Sequence, residues 1–440
     1  MRRSAIGIIT LFALSANSAW SASKQELANL KIQVKKLKKN YGDKLTRMER
    51  RIAELEKENE QQKKKQTQPT ARATALPSIG STPKKRGFNP AISLILSGAA
   101  ASFKQNPDNY SVPGFVMDEE TGPGEKGFSL GESELVVSAN IDHRFFGRMT
   151  LAITGENEVE VEEALIRTLA LSNGLTVQAG RFFSSLGYLN SKHAHTWNFV
   201  DIALPYRTIL GNQYNDDGVQ IKWLAPTDVY LQFGVEAFRG AGFPASGSQN
   251  NGVGSYTLFA KTGGDVGNNH AWQLGLWYLD ANVGNRTTDS LTFNGDTSVF
   301  GVDFVWKTSI GRASHNRKLI FNAEYMTRNE DGFYSGINQR YDSDQSGWYT
   351  ELVYQHNKHW LMGVRYDTVQ ADNPGTAFAG TVLDSSGHSP SRASLMIEHR
   401  FSEFSSLRLQ YNNDRSNPGT DHQWFLQYTM SLGAHGAHKF

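Results

Sequence analysis

The chain has 440 residues, of which 11% are aromatic and 41 are glycine; it contains no cysteine and its mean hydropathy is −0.47. The lack of cysteine excludes disulfides and thiolate metal sites. After the N-terminal region no run of about 18 apolar residues occurs, which excludes a transmembrane helix there. Residues 1–87 carry a net charge of +13 and residues 88–440 a net charge of −11, so a basic segment precedes an acidic main domain.

Residues 1–21 have the pattern of a secretory signal peptide. Arg2 and Arg3 precede the apolar run AIGIITLFAL, and small residues around ANSAWS suit cleavage after Ser21. A single-span anchor is the alternative, although the apolar run is short for one. Export takes the chain out of the cytoplasm, so nucleic acid is not expected to be the partner of the basic segment.

Residues 22–65 predict a helical coiled coil in the periplasm. The spacing of the apolar positions alternates between three and four residues from Leu27 to Tyr41, and again from Leu45 to Asn59. Such a narrow apolar stripe indicates self-association, with a solvated and partly frayed helix as the alternative.

Residues 66–87 are rich in Pro, Thr, Ser and Ala and predict a linker. From residue 88 onward the apolar residues recur at every second position. The candidate strands are 92–103, 128–141, 145–154, 159–171, 175–183, 218–225, 229–238, 255–262, 271–281, 298–307, 318–327, 347–356, 360–369, 392–401, 405–414 and a strand within 421–440.

Three observations favour a membrane barrel over a soluble β-sandwich. Trp360, Met362, Val364 and Tyr366 share one strand face and Arg365 and Asp367 the other, a pattern that suits lipid outside and water inside. The even total of sixteen candidate strands is that of a single-chain bacterial barrel, and the closing Phe440 resembles the C-terminal aromatic signature of such barrels. We therefore predict an all-β transmembrane antiparallel barrel of about 16 strands over residues 88–440.

Residues 184–217 form a long break between the fifth and sixth candidate strands. The segment is too long for a periplasmic turn, and its apolar and aromatic residues between Leu186 and Ile209 can pack. We expect it to fold inward and narrow a pore; a loop on the barrel rim or a trimer contact is the alternative. The polar candidates for the constriction and the lumen wall are Lys192, His193, His195, Asp201, Arg207, Arg148, Arg181, Lys222, Arg365, Arg400 and Arg408.

The signal peptide, the short coiled coil, the sixteen-strand pattern and AGRFFSSLGYLN leading into a folded loop resemble the phosphate-selective porin O/P family. The resemblance implies a trimeric outer-membrane channel for small hydrophilic solutes or ions, including anions such as phosphate, surrounded by outer-membrane lipid. Phosphate-selecting members use rows of Arg and a cluster of Lys in the lumen. Here the basic residues are isolated in the sequence and the barrel is acidic, so we expect no strong anion filter.

Histidine supplies an alternative function, a barrel that binds or imports zinc. The candidate ligands are His193 and His195 in the long loop and His435 and His438 near the C-terminus. No nucleophile, base and orienting group with recognisable spacing occurs, and no nucleotide-binding motif occurs either, so neither an enzyme nor a cofactor is predicted. A structural barrel without an open pore is the third alternative.

Overall fold

The computed structural model describes Lys35 and residues 90–433, apart from 119–120, 154–157, 246–251, 289–290 and 312–316. The predicted signal peptide, coiled coil and linker, together with His435, His438 and Phe440, lie outside the described residues. Among the described residues no helix has the length and apolar character needed to cross a membrane.

Within the described residues, seventeen strands form one antiparallel sheet. They are β1 (Ala91–Ser102), β2 (Gly127–Leu130), β3 (Ser133–Asn140), β4 (Phe145–Ile153), β5 (Val159–Thr168), β6 (Leu175–Phe183), β7 (Asn215–Leu224), β8 (Tyr230–Phe238), β9 (Ser255–Val266), β10 (His270–Thr288), β11 (Leu291–Ser309), β12 (Lys318–Tyr334), β13 (Gln339–Gln355), β14 (Trp360–Ala371), β15 (Ser391–Ser402), β16 (Ser405–Asp414) and β17 (Asp421–Gly433). One α-helix, α1 (Leu204–Leu210), and short 3₁₀ turns at Pro107–Asn109, Ala194–Thr196 and Thr376–Phe378 complete the described elements.

The sheet closes on itself because β17 pairs with β1, from Ser93 opposite Gly433 to Ser102 opposite Trp424. Strands β2 and β3 both pair with β1, on successive stretches of it, and so form one interrupted wall strand. The barrel therefore has sixteen wall strands, which confirms the predicted antiparallel β-barrel and its number of strands.

The two ends of the barrel differ. We call the end where β1 begins and β17 ends the terminal end, and the opposite end the loop end. Connections at the terminal end are short, such as 356–359, whereas the loop end carries the connections 103–126, 184–214 and 372–390.

Strands β10 to β13 are 17 to 19 residues long and extend further at the loop end than the sequence predicted. Their extensions carry polar residues such as Asp296 and Asp331, so they lack the apolar alternation on which the prediction relied.

The two faces of the wall have opposite chemistry. Trp360, Met362, Val364 and Tyr366 point outward and are each 39% to 49% exposed, while Arg365 of the same strand is 4% exposed and points inward. An outward apolar face with inward polar groups is what a membrane barrel presents to lipid and to its lumen.

The barrel interior is partly filled by protein. Inward residues of β10 to β14 and the connection 184–214 share one apolar core, whose members include Trp277, Met326, Tyr349, Leu204 and Ile209. A second core at the loop end joins Phe293, Tyr334 and Tyr341 of the long strands to Phe378 and Leu383 of the connection 372–390.

Gly301 of β11 lies opposite Trp277 of β10, and the indole ring covers it. A Cβ atom at Gly301 would stand 2.1 Å from two carbons of the ring. We expect Gly301→Ala to lower the free energy of unfolding by about 1–3 kcal/mol, because the ring has no space to move into. Urea unfolding of the refolded barrel measures this. Gly98→Ala is the control, since no atom lies within 4 Å of the added methyl group, and an equal effect in both variants would refute the explanation.

Candidate functional site

The connection 184–214, called the inward loop below, leaves and rejoins the wall at one place. The Ser184 amide donates to the Tyr214 carbonyl at 3.0 Å, and the Asn190 side-chain amide donates to the carbonyls of both residues at 2.9 Å. The residues between these points project into the lumen, where most of the apolar ones are buried. The expected inward course is thus observed, rather than a position on the rim.

Helix α1 gives the loop a rigid apolar centre. Pro205 lies in its first turn, and the Leu204 amide donates to Asp367 Oδ2 of β14 at 3.1 Å, so a wall carboxylate caps the positive end of the helix. Gly211 ends the helix with φ of 61°, a left-handed conformation that favours glycine. All seven helical residues are buried.

Asp201 fixes the loop to strands β14 to β16. Its carboxylate accepts hydrogen bonds from Arg392 at 2.6 Å, Arg365 at 2.7 Å, Gln410 at 2.7 Å and Asn412 at 3.0 Å. Burial by itself would raise the pKa of Asp201, but the guanidinium groups of Arg392 and Arg365 outweigh it and hold the pKa well below its usual range. The carboxylate therefore stays ionised as the centre of a buried charge network.

Glu324 of β12 accepts hydrogen bonds from two parts of the inward loop. It accepts from the Tyr206 hydroxyl at 2.8 Å and from the amides of Tyr188 and Leu189 at 3.2 and 3.3 Å. Tyr349 of β13 donates to the same carboxylate at 2.6 Å. One wall carboxylate thus ties helix α1 to the start of the loop.

The two loop histidines meet a set of wall glutamates. His193 Nδ1 lies 3.1 Å from Glu162 Oε2 and 3.2 Å from Glu134 Oε2, and His193 Nε2 lies 3.1 Å from Glu163 Oε2. His195 Nδ1 lies 2.6 Å from Glu134 Oε1. Burial would lower the pKa of His193, but its contacts with Glu162 and Glu163 raise it well above the usual value.

On the terminal side of the inward loop lies a cavity of about 1460 Å³. It is lined by terminal-end wall residues such as Ser93 and Ser431 and by the loop between Ser185 and Asn198. None of the lining residues comes from the connections 103–126 or 372–390, so the cavity ends at the inward loop.

The described lining of this cavity is cationic although the barrel as a whole is acidic. Eight of its residues are basic and four are acidic. The basic ones are Arg148, Arg167, Lys192, Lys222, Lys261, Lys307, Arg400 and Arg408, and the acidic ones are Glu163, Asp265, Glu398 and Glu403.

Three lysines of the lining lie close together, contrary to the expectation of isolated basic residues. Lys192 Nζ stands 3.7 Å from the Tyr188 ring centre, and Lys261 Nζ donates to the Gly187 carbonyl at 2.8 Å. Burial, followed by the charges of Lys307 and Lys261, lowers the pKa of Lys192 to about 7. These lysines come from the loop, β9 and β11, so their proximity is not visible in the sequence.

Most other predicted lumen residues face the interior. Arg148 pairs with Glu163 at 2.9 Å, Arg400 and Arg408 pair with Glu398 at 2.6 and 2.5 Å, and Lys222 lines the cavity. Arg365 lies at Asp201, and Arg207 is buried and donates to the Tyr110 hydroxyl at 3.1 Å.

The prediction that Arg181 lines the lumen is wrong. It pairs with Asp217 at 2.8 Å and both side chains are more than 40% exposed, while their neighbours Phe182 and Asp216 are buried inside. The alternation of β6 and β7 therefore places Arg181 on the outer face rather than in the lumen.

Comparisons with known proteins support the fold. No protein-family model matches the chain. An uncharacterised protein of Aquifex aeolicus (strain VF5) is 28% identical over 338 residues, which cover 72% of this chain and 71% of that protein.

Two solved structures resemble the barrel. The outer membrane channel DcaP of Acinetobacter baumannii has a TM-score of 0.52 at 11% identity, covering 80% of this chain and 100% of that chain. An anion-selective porin from Comamonas acidovorans has a TM-score of 0.51 at 10% identity, covering 78% and 99%. At this identity the likeness shows the fold alone, a closed β-barrel, and does not single out the phosphate-selective O/P family.

The Asp201 network predicts that the conservative substitution Asp201→Asn lowers the stability of the protein strongly. Asp201→Asn keeps the shape of the side chain but leaves Arg365 and Arg392 buried with one carboxylate fewer. We expect the free energy of unfolding, measured in urea, to fall by about 3 kcal/mol, at the lower end for a broken buried ion pair because Asp367 still contacts both arginines.

The matched control is Asp331→Asn. Asp331 also pairs with an arginine, Arg340, at 2.9 Å, but the side chains are 60% and 73% exposed. Its loss should cost less than about 1 kcal/mol. Similar losses in the two variants would show that Asp201 does not anchor the loop.

Proposed function

We propose that the protein is an outer-membrane channel for small hydrophilic solutes, with a preference for anions. The observation that carries the proposal is the cationic cavity that opens inside a lipid-facing barrel and ends at the inward loop. The resemblance to DcaP and to an anion-selective porin agrees with a channel. Phosphate is one anion of the proposed class, as the resemblance to the O/P family implies.

The position of the charges supports an anion preference better than their sum does. Glu163 and Glu398, two of the acidic lining residues, are already paired with arginines. The cluster of Lys192, Lys261 and Lys307 adds positive charge where the cavity meets the loop. Fixed charges close to the solute set the selectivity of a pore more than the net charge of the protein does. Salt largely screens charges that lie further away than about 10 Å.

The inward loop is the proposed constriction. It contacts the wall through Glu236 of β8 and Glu324, Glu351 and Gln410 on the opposite side, so it spans the lumen. A solute that enters the cavity has to pass this layer. Pore width at the loop, together with the lysine cluster, would then decide which solutes cross.

Three further parts of the proposal rest on the sequence alone. They are export through the signal peptide, a periplasmic coiled coil over residues 22–65, and a homotrimer formed through barrel and coiled coil. The zinc-import alternative has no observation that favours transport of the metal.

The lysine cluster generates a test of selectivity. At about pH 5, below the Lys192 pKa of about 7, Lys192→Gln with Lys307→Gln should shift the reversal potential in a KCl gradient away from the anion side, because two positive charges leave the cavity wall. Planar-bilayer recordings at low salt measure this, and added phosphate should reduce the wild-type current more than that of the variant. Lys261 is left in place because it holds the Gly187 carbonyl.

Lys104→Gln with Lys126→Gln is the matched control, since both lysines are exposed in or beside the connection 103–126 at the loop end. It should leave the reversal potential unchanged. A cation-selective wild type, or equal shifts in the two double variants, would contradict the proposed anion preference.

Removal of residues 190–212 tests the constriction. The loop ends already meet at Ser184 and Tyr214, so the shortened connection can close without moving β6 or β7. We expect single-channel conductance to rise severalfold because the obstacle in the lumen is gone. Unchanged conductance in a correctly inserted deletion variant would place the limiting passage elsewhere.

A further inference from the structure

We propose that Glu134, Glu162 and His193 bind one divalent transition-metal ion of the Zn²⁺ class, which joins the inward loop to strands β3 and β5. This inference goes beyond channel function and does not depend on it. It also differs from the expected histidine pair, because the partners of His193 are wall carboxylates.

The three donor groups have a spacing that suits a small tetrahedral site. Their ligand atoms lie within 4.8 Å of one another, with His193 Nδ1 at 3.1 and 3.2 Å from the carboxylate oxygens of Glu162 and Glu134. Zinc bonds of about 2.0–2.2 Å in a tetrahedron place neighbouring ligand atoms about 3.4 Å apart. A water molecule would supply the fourth ligand.

A β-bulge brings Glu162 into the site. Glu163 pairs with Thr150 and Val161 with Leu151, so Glu162 is the extra residue of β5. Without the bulge, neighbouring residues of a strand point to opposite faces. Here Glu162 and Glu163 both reach His193. A bulge that redirects a side chain is frequent beside functional sites.

The surrounding groups are arranged as they are around bound zinc. His193 Nε2 faces Glu163 Oε2 at 3.1 Å and Arg148 Nη2 at 3.1 Å, and Arg148 also contacts that carboxylate at 2.9 Å. A histidine that donates its second N–H to a carboxylate presents its other nitrogen to the metal, and this outer contact strengthens binding. His195 contacts Glu134 Oε1 at 2.6 Å and so orients the carboxylate whose other oxygen is the proposed ligand.

The site also has unbalanced negative charge. Glu134 is fully buried, and among the described residues its Oε2 has an ion-pair contact with His193 Nδ1 at 3.2 Å but accepts no hydrogen bond. Glu162 and Glu163 add two more carboxylates beside His193, while Arg148 is the arginine in contact. Buried carboxylates require a cation or a donor. An imidazole with two carboxylates and no thiolate favours Zn²⁺ over Ca²⁺ or Mg²⁺, which prefer oxygen ligands alone.

The test is equilibrium dialysis of the refolded full-length protein against buffered Zn²⁺, with metal quantified per chain. To remove a competing site, all proteins carry His435→Asn and His438→Asn. We expect one Zn²⁺ per chain, and Glu162→Gln and His193→Gln should each weaken its binding by about tenfold or more. Glu162→Gln is nearly isosteric, so it separates lost ligation from lost folding.

His359→Asn with His399→Asn is the matched control. These two histidines stack at 6.0 Å near the terminal end, away from the glutamates, and should leave zinc binding unchanged. Zinc-edge X-ray absorption of the loaded protein should show a first shell of nitrogen and oxygen with a single imidazole. The proposal is overturned if no stoichiometric zinc binds, if Glu162→Gln and His193→Gln bind like the parent, or if the spectrum shows two or more imidazoles.

Discussion

Closure of the sheet imposes one constraint on everything else: every second side chain of every wall strand points inward, and a barrel of sixteen strands is too wide for those side chains to meet. The interior therefore has to be filled by another segment or by water. This protein uses both solutions. The inward loop and its helix α1 fill the space beside β10 to β14, whereas the terminal end keeps a cavity lined by polar and charged groups.

The loop is held by carboxylates rather than by apolar contact alone. Asp201, Glu324 and the glutamates around His193 each join loop to wall at a different part of the circumference. Buried charges of this kind contribute little net stability, because desolvation offsets the attraction. They make any alternative position of the loop unfavourable, because a displaced loop would leave a buried charge without its partner. This arrangement gives a defined constriction inside a wide barrel.

The distribution of charge matters more than its total. The barrel region carries a net charge of −11, yet the described lining of the cavity is dominated by lysine and arginine. Acidic residues such as Asp296, Asp331 and Asp344 lie instead on the strand extensions at the loop end. A solute in the cavity would experience the nearby cations, and solvent ions would screen the distant carboxylates.

The amino-acid sequence by itself determined the wall. Alternation such as that from Trp360 to Asp367 depends only on the twofold period of a strand, and it predicted the sixteen wall strands and most of their faces. The inward loop was predicted from the length and apolar content of the break at 184–217. The sequence could not determine which inward residues meet. Lys192 meets Lys261 and Lys307 only because the inward loop folds against β9 and β11, and Glu162 reaches His193 only because a bulge breaks the period. The prediction placed Arg181 in the lumen instead of on the outer face. In a short strand, which side chains point inward is decided by the neighbouring strands and not by the strand's own sequence. Contacts between distant segments follow from closure and register, which are properties of the tertiary structure.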